Sequence, residues 1–554
     1  MQNLRNLDLL CYYERYFTCE IKNQCFDGLS KLEQLRVIIC SSSDDKIFNG
    51  LNDLKKLKLH YASKLNPKIF HCLDKLVELD MQEHCDTETG SANIRLGDIS
   101  LYGLKTLNTL RIQLSYINSN YFKNFSNLKI LCIEYLAFIE ENAFKYLETL
   151  NKLSLPSNKL KKLKSNTFVG LINLKELHIN NNYSGTCLKK IERGAFKGLI
   201  SLEQLSIDIS NLETYDYIFE DLSNLKRLNL INGPNMKKII NDNPFKYLDK
   251  LESIKSNQFA EIARMLNLNN LKEIISSATE NIIQVIKSCN LQNLISIDLE
   301  EMNRSKEILI DSDFFKSRLN NLKKLNLCGC GFNRQSNSNI IIDSSSFDNL
   351  HNLEYLNIEN VLYSDTHDSK DVFKNLNNLV YLRSYIHRFD YDAFSFANLN
   401  ILKHLDLRFS VISFVDKMFE NLINLEILDL SSTNFTNLNK LTFYGLTNLK
   451  QLHLKKTPIK IINSNSFIHL TNLIHLDLFK CFIAVVEVNA FAGLSKLQTL
   501  ILRKNKITSL REEHFNELSE LKKLDITDNP FAHQIDVCKF YKNLNKHDLD
   551  FIIA

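Results

Sequence analysis

The chain has 554 residues, and its 68 basic and 64 acidic side chains leave a net charge of +4 at neutral pH. So balanced a composition does not indicate a nucleic-acid or membrane partner, because such partners select clustered positive charge. A chain of this length would ordinarily fold as several globular domains. No run approaches the roughly 18 consecutive apolar residues that a membrane-spanning helix needs.

A repeated motif runs along the chain from its first residues. It reads Phe-x-x-Leu-x-x-Leu-x-x-Leu-x-Leu, and its most regular copies, at Phe443, Phe467 and Phe491, are 24 residues apart. With the first Leu of each Leu-x-x-Leu-x-Leu core as origin, 22 copies start at positions 4, 32, 54, 76, 107, 128, 150, 174, 202, 225, 251, 271, 294, 322, 353, 379, 402, 425, 449, 473, 497 and 521. The sequence therefore predicts one array of stacked repeats, which lengthens by adding repeats, in place of several separate globular domains.

Each core predicts a short β-strand. In the copy that starts at Leu449, Leu452 and Leu454 alternate with polar residues, so the leucines point inward and the polar side chains point out. A single repeat cannot bury its own apolar side, and neighbouring strands must therefore stack in parallel. A Phe stands six residues before the origin in 17 copies, which predicts a continuous column of aromatic rings.

Repeat lengths vary from 20 to 31 residues while the spacing from Phe to strand is nearly constant. The additional residues therefore fall between the end of a strand and the next Phe, on the outer, convex side. The clearest insertions are Cys85–Gly97 and Gly331–Ser346. They are interpreted either as contact loops or as solvated filler.

The repeats are least regular between residues 251 and 299. Met265 and Ser288 replace the aromatic residue there, and Ser256 and Ser276 replace an inner leucine. The apolar run from Ile282 to Ile286 indicates a helical or irregular convex segment. The stretch marks either a change of curvature or drift among unselected repeats.

The copies with Leu-x-x-Leu-x-Leu-x-x-Asn, followed by Ala/Thr/Ser-Phe-x-x-Leu, resemble the typical 24-residue class of leucine-rich repeats. The repeat pattern is similar to that of Toll-like receptor ectodomains and chaoptin-like adhesion proteins. The resemblance implies an α/β fold, namely a curved solenoid with a parallel β-sheet on the concave face and an irregular, short-helical convex side. It assigns residues 1–528 to the solenoid and 529–554 to an incomplete C-terminal cap with a short closing helix.

In this class an Asn after the strand satisfies backbone groups of the turn. It stands at Asn158, Asn182, Asn505 and Asn529. In other repeats the slot holds Cys40, Cys330, Cys481, Thr433, Thr457, Ser115, Ser210, Ser410, Leu136 or Val361. An unpaired buried backbone group costs about 1 to 3 kcal/mol, so these turns are expected to be irregular or hydrated.

Catalytic and metal-binding motifs are missing from the sequence. It has no Gly-x-Ser-x-Gly, no phosphate-binding Gly-x-x-x-x-Gly-Lys-Ser/Thr, no His-Glu-x-x-His and no kinase signature. Cys328 and Cys330 are too close for ordinary zinc pairing, and no second pair follows. Cysteines in strands and turns are expected to be free thiols. We therefore expect no enzyme, no cofactor and no metal site.

Three successive repeats carry basic and aromatic side chains at strand positions expected to be exposed. The candidate ligand-binding residues are His453, Lys455, Lys456, His475, Phe479, Lys480, Arg503 and Lys504. An acidic protein surface or a sulfated glycan would complement this patch. A neighbouring acidic row contains Asp406, Asp429, Asp477 and Asp525. A solvated face without a ligand is the alternative interpretation.

The sequence is compatible with two functions. The first is a non-catalytic recognition module, an extracellular or cell-surface ectodomain of the receptor or adhesion type, that binds a protein or glycan and can dimerise. This hypothesis includes no nucleic-acid ligand, and a membrane link only through a segment outside this chain. The second is a cytosolic adaptor or scaffold, such as the substrate-recognition arm of a ubiquitin ligase.

Evidence on compartment is divided. No signal segment follows Met1, and neither end carries a cysteine-rich cap, from which we expect an incomplete chain. N-glycosylation acceptors, which have meaning only in a secreted protein, stand at Asn124, Asn182, Asn303 and Asn434.

Overall fold

The computed structural model is built of stacked parallel strands. It describes residues 3–9, 25–39, 46–61, 68–83, 104–180, 188–235, 239, 243–278, 280–302, 308–310, 315, 319–327, 340–359, 361–363, 371–385, 396–412, 414–533 and 550–552. The chain divides into two compact units, Met1–Asn270 and Leu271–Ala554. Each unit has its own run of the main sheet.

In the first unit, the strands of the main sheet pair in parallel in sequence order. Their bounds are Asn6–Asp8, Gln34–Ile39, Lys56–Tyr61, Glu78–Glu83, Thr109–Gln113, Ile130–Glu134, Lys152–Pro156, Glu176–Asn180, Gln204–Ile207, Arg227–Leu230 and Ser253–Ser256. Two short parallel pairs lie between them in sequence: Tyr116–Ile117 with Phe138–Ile139, and Lys162–Leu163 with Lys190–Ile191.

The second unit repeats the arrangement. Its main strands are Glu273–Ala278, Ser296–Met302, Lys324–Asn326, Tyr355–Glu359, Tyr381–Tyr385, His404–Asp406, Ile427–Asp429, Gln451–His453, His475–Asp477, Thr499–Ile501, Lys523–Asp525 and Asp550–Ile552. Short strands form two further sheets: Ile308–Ile310, Ile340–Ile342 and Leu362–Tyr363 in one, Ile461–Ile462 and Val485–Val486 in the other.

Helices are few among the described residues. The α-helices are Phe259–Ile262 and Glu280–Ser288, and the 3-10 turns are Ala263–Met265, Leu268–Asn270, Glu512–Phe515 and Pro530–His533. The helix Glu280–Ser288 occupies the stretch for which the sequence predicts a helical or irregular segment, and it buries Ile282 and Ile286. Within the described residues, no helix is both long and apolar enough to span a bilayer.

The core is formed by the inward leucines of successive strands. Leu452, Leu476 and Leu500 are aligned in register and fully buried. Because each leucine is covered by those of the repeats before and after it, no repeat is stable by itself. The predicted fold class, a solenoid with a parallel sheet, is confirmed.

The predicted column of aromatic rings is confirmed as well. Buried Phe rings of adjacent repeats lie with their centroids 5.6 to 6.4 Å apart. Phe443, Phe467 and Phe491 stack within 10° of parallel in two successive pairs. The rings therefore pack repeat on repeat behind the sheet.

The asparagine that follows the strand joins adjacent turns. The Asn505 amide donates to the carbonyls of Leu478 and Leu502 at 2.8 and 2.7 Å, and its oxygen accepts the backbone N–H groups of Cys481 and Ile483 at 2.8 and 3.1 Å. Asn529 makes equivalent buried bonds. Asn158 makes two bonds within its own turn and joins the next repeat through a third, to the Asn180 carbonyl at 3.2 Å. Asn182 lies outside the described residues.

Several turns without this asparagine are nonetheless paired, so the expectation of irregular or hydrated turns is wrong for them. The hydroxyls of Thr433 and Thr457 donate to the carbonyls of Leu430 and Leu454 at 2.8 and 2.6 Å. The Cys481 thiol also donates to Leu454 O, at 2.8 Å. A short side chain with one donor can therefore replace part of the amide.

A second asparagine ladder was not anticipated from the sequence. The side-chain amide of the Asn just before a repeat origin donates to a backbone carbonyl of the preceding repeat at 2.7 to 2.9 Å. The residues are Asn127, Asn173, Asn224, Asn270, Asn321, Asn352, Asn378, Asn424, Asn448 and Asn472. Part of the high Asn content is thus structural.

At the C-terminus, Asp550–Ile552 pairs in parallel with Lys523–Asp525 and adds one strand to the stack. Residues 534–549, which make up most of the predicted cap and its closing helix, lie outside the described part of the chain. The insertion Cys85–Gly97 and most of Gly331–Ser346 also lie outside it.

Removing a ring from the aromatic column should destabilise the second unit strongly. Phe467→Ala leaves a cavity between Phe443 and Phe491, and we expect a loss of about 3 to 5 kcal/mol. Urea unfolding followed by circular dichroism measures it. Phe482→Ala is the matched control, because that side chain is 45% exposed. Equal losses in the two variants would contradict the column's structural role.

The two asparagine ladders should contribute different amounts to the free energy of unfolding. Asn505→Ala unpairs buried donors and acceptors at about 1 to 3 kcal/mol each, whereas Asn448→Ala removes one exposed bond worth about 1 kcal/mol. Unfolding midpoints of the two variants compare them. A midpoint for Asn448→Ala as low as that for Asn505→Ala would refute this ranking.

Candidate ligand-binding face

In the second unit, the outward side chains of the main strands form two straight columns, together called here the sheet face. The first column contains Lys324, Tyr355, Tyr381, His404, Ile427, Gln451, His475, Thr499 and Lys523. The second contains Asn326, Asn357, Arg383, Asp406, Asp429, His453, Asp477, Ile501 and Asp525. Parallel pairing in register makes residues more than twenty positions apart direct neighbours.

Three residues of the first column form an aromatic strip: Tyr355, Tyr381 and His404. The ring centroids of Tyr355 and Tyr381 are 4.5 Å apart with 9° between the planes, and those of Tyr381 and His404 are 4.6 Å apart. The Lys324 ammonium lies 5.6 Å from the Tyr355 ring. All three strip residues are half-buried and stacked, so they offer a rigid aromatic edge.

A charge network lies beside the aromatic strip. Arg383 contacts Glu359 at 2.7 Å and Asp406 at 3.4 Å, while Arg408 contacts Asp406 at 2.7 Å and Asp429 at 3.4 Å. The hydrogen bond from Arg408 to Asp406 raises the pKa of that guanidinium further above its ordinary value. The network therefore holds both arginines in fixed positions beside the rings.

The two histidines of the sequence-derived patch do come together. The ring centroids of His453 and His475 are 5.2 Å apart. Asp477 lies directly across from His453 in the register, and its Oδ2 is 4.0 Å from His475 Nε2 and 3.0 Å from the Lys455 ammonium. Both histidines lie on strands of successive repeats, as the sequence predicts.

The other six patch residues are not strand residues, and that expectation is wrong. The strands end at His453, Asp477 and Ile501, and Lys455, Lys456, Phe479, Lys480, Arg503 and Lys504 lie in the turns that follow. Lys456, Lys480 and Lys504 have positive φ angles of 58°, 56° and 58°. One aromatic–cation contact does form, with the Lys504 ammonium 5.8 Å from the Phe479 ring.

The aspartates of the predicted acidic row hydrogen-bond mainly to the backbone. One carboxylate oxygen of Asp406, Asp429, Asp477 and Asp525 accepts the N–H two residues further on, at 2.9 to 3.1 Å. Three of the four side chains are buried. These aspartates therefore fix the turn after each strand and contribute less surface charge than the sequence suggests.

The glycosylation acceptors have different surroundings. Asn124 is exposed in a turn. The Asn434 amide is engaged with Ile412, accepting its N–H at 2.8 Å and donating to its carbonyl at 3.1 Å, so glycan attachment would break both bonds. Asn182 and Asn303 lie outside the described residues.

The described cysteines are free thiols: Cys25, Cys72, Cys132, Cys289 and Cys481. Burial raises the pKa values of Cys132 and Cys481 to about 11. At neutral pH both are protonated and poorly nucleophilic, as expected for structural thiols.

Comparison with known families agrees with the geometry. The model described as BspA type Leucine rich repeat region matches residues 94–226, 137–273, 185–323 and 310–433, and the Leucine rich repeat model matches 423–483 and 480–531. The chain belongs to the leucine-rich repeat family. Its fold is that of a group of non-catalytic recognition proteins.

Two solved leucine-rich repeat structures are similar to this chain. The complex of TLR13 with the single-stranded RNA ssRNA13 has 26% identity and a TM-score of 0.63, and the match covers 90% of this chain and 67% of that one. The Drosophila Toll–Spatzle complex has 17% identity and a TM-score of 0.47, covering 90% and 61%. No curated protein matches.

Sequence reasoning missed the aromatic strip and the arginines beside it. The signal was present, because Tyr355, Tyr381 and His404 each directly precede the inner leucine of the core. The three residues are recognised as neighbours only when the same outward position is compared in successive repeats.

The half-buried histidines should make stability depend on pH. Burial lowers the pKa of His404 and of His475 below the ordinary 6.5, against the opposing effect of nearby aspartates. As pH falls below 6.5, the unfolded chain binds protons that the folded chain resists, so folding stability decreases. Urea midpoints at about pH 7.5 and 5.5 measure this loss.

The variant His404→Gln/His475→Gln should lose less stability between these pH values than the parent chain. Replacing His469, which lies in a Phe-containing turn next to Tyr444, is the control. An unchanged pH dependence in the double variant would show that other groups control it.

Proposed function

We propose that this chain is an extracellular recognition module that binds a protein or glycan ligand across the sheet face of its second unit. Its family uses the corresponding face, which is concave in leucine-rich repeat solenoids, as a rigid surface for contacts. Binding by complementarity requires no chemistry from the chain, only side chains held in place before the ligand arrives.

The aromatic strip with its two arginines is the observation that carries this proposal. Tyrosine and arginine dominate the binding energy of protein interfaces, because each combines a large contact area with directional hydrogen bonds. Stacking fixes Tyr355 and Tyr381, and ion pairs fix Arg383 and Arg408. Little side-chain entropy is then lost on binding.

The charge arrangement favours a protein or glycan over a nucleic acid. TLR13 was solved with single-stranded RNA, so RNA is the competing ligand class. Phosphate recognition depends on cations that neutralise the backbone. Here Arg383 and Arg408 already contact Glu359, Asp406 and Asp429. A mixed surface of this kind complements a ligand that carries both charges.

Replacing the central ring should weaken ligand binding by about 10- to 100-fold, as expected for an interface hot spot. The purified chain is screened against arrayed extracellular proteins, glycans and single-stranded RNA, and each ligand found is measured again with Tyr381→Ala. Tyr444→Ala is a matched control, since Tyr444 also contacts a histidine, His469, but lies in a Phe-containing turn.

The two variants separate the interpretations. Loss with Tyr381→Ala and not with Tyr444→Ala supports the sheet face as the binding site. Equal affinities of both variants would reject it. Ligands found only among intracellular ubiquitin-ligase components would favour the cytosolic adaptor instead.

A further inference from the structure

Two histidines and one aspartate of the sheet face converge on one point. His453, His475 and Asp477 each present a donor atom, and these atoms all lie within 4.8 Å of one another. His475 and Asp477 are two positions apart on one strand, so both side chains lie on its outward side. His453 lies on the adjacent, preceding strand and is the register partner of Asp477. The parallel pairing thus assembles three ligands that are not contiguous in sequence.

We propose that His453, His475 and Asp477 form a binding site for a divalent zinc ion. Two imidazoles and a carboxylate are a common zinc donor set, in which three protein ligands leave a fourth position open. The site lies on the exposed side of the sheet, so water fills that position. This site is separate from the aromatic strip and does not depend on the ligand proposed above.

The geometry needs only a small adjustment. In a tetrahedral site with metal–ligand bonds of about 2.0 to 2.1 Å, donor atoms are roughly 3.3 Å apart. Asp477 is held in place because its Oδ1 accepts the Phe479 N–H at 3.1 Å. The two imidazoles are only half-buried, so side-chain rotation can bring them from the present separation onto a shared ion.

The environment of His475 also suits a metal ligand. Burial and the neighbouring His453 lower the pKa of His475, with Lys455 and Lys523 acting in the same direction and Asp477 opposing them. The neutral ring, whose lone pair binds the ion, is therefore favoured near neutral pH.

Lys455 is the competitor for this site. Its ammonium contacts Asp477 Oδ2 at 3.0 Å, and its side chain is 46% exposed. Only the lysine end of this ion pair is exposed, so the ammonium can move into solvent when a divalent cation neutralises the buried Asp477 carboxylate in its place. Removing Lys455 should consequently strengthen metal binding. A cluster with a merely structural role does not predict an increase in affinity.

The test is a calorimetric titration of the chelator-treated full chain with Zn²⁺. We expect one binding event that weakens at least about tenfold in His453→Ala and in His475→Ala. Lys455→Ala should bind more tightly than the parent chain. His469→Ala is the matched control, because His469 lies in a Phe-containing turn beside Tyr444, outside both the aromatic strip and the three proposed ligands. Circular dichroism of every variant verifies folding.

Cysteine is the main rival ligand, since the chain has thirteen. Titration with Co²⁺ distinguishes the two, because thiolate ligands give intense charge-transfer absorption that imidazole and carboxylate do not. Absence of zinc binding, binding that persists in His475→Ala, or a thiolate spectrum for the strongest site would each overturn the proposal. A weaker event at about pH 5.5 would support it, because protons compete for the imidazoles.

Discussion

Stacking of one repeat on the next is the constraint on which the rest of this protein depends. Each strand contributes only two or so inward apolar side chains, and these are buried only by equivalents from neighbouring repeats. The Phe column and both asparagine ladders also depend on this stacking, since each of them includes contacts that join one repeat to its neighbour. Conformational order is therefore a property of the stack and not of any single motif.

The same constraint creates the recognition surface. Because register is maintained from Lys324–Asn326 to Lys523–Asp525, outward residues become straight columns with strand-to-strand spacing. Neighbouring columns combine residues from successive repeats, which is how a tyrosine pair, an arginine network and a histidine pair arise on one sheet. Evolution can change such a surface without disturbing the leucines behind it.

The polar residues of the face divide into two kinds. Asp406 and Asp525 are buried and accept backbone N–H groups, so they form part of the scaffold. Tyr381 and His475 make no comparable turn contacts and face outward, where a ligand or an ion can reach them. The position of a residue in a column therefore does not determine its role. Its role depends on the hydrogen-bond or ion-pair partners of its polar atoms.

By itself the sequence determined the solenoid, the direction of the leucines, the Phe column and the position of the turn asparagines, because each follows from local spacing and the need to bury apolar area. It also placed His453 and His475 on strands of successive repeats. It did not place Lys456, Lys480 and Lys504 correctly, because a turn with positive φ begins where the alternating sequence pattern continues. Only the tertiary structure decided that Tyr355, Tyr381 and His404 stack, and that Asp477 completes a histidine pair, since both depend on cross-strand register.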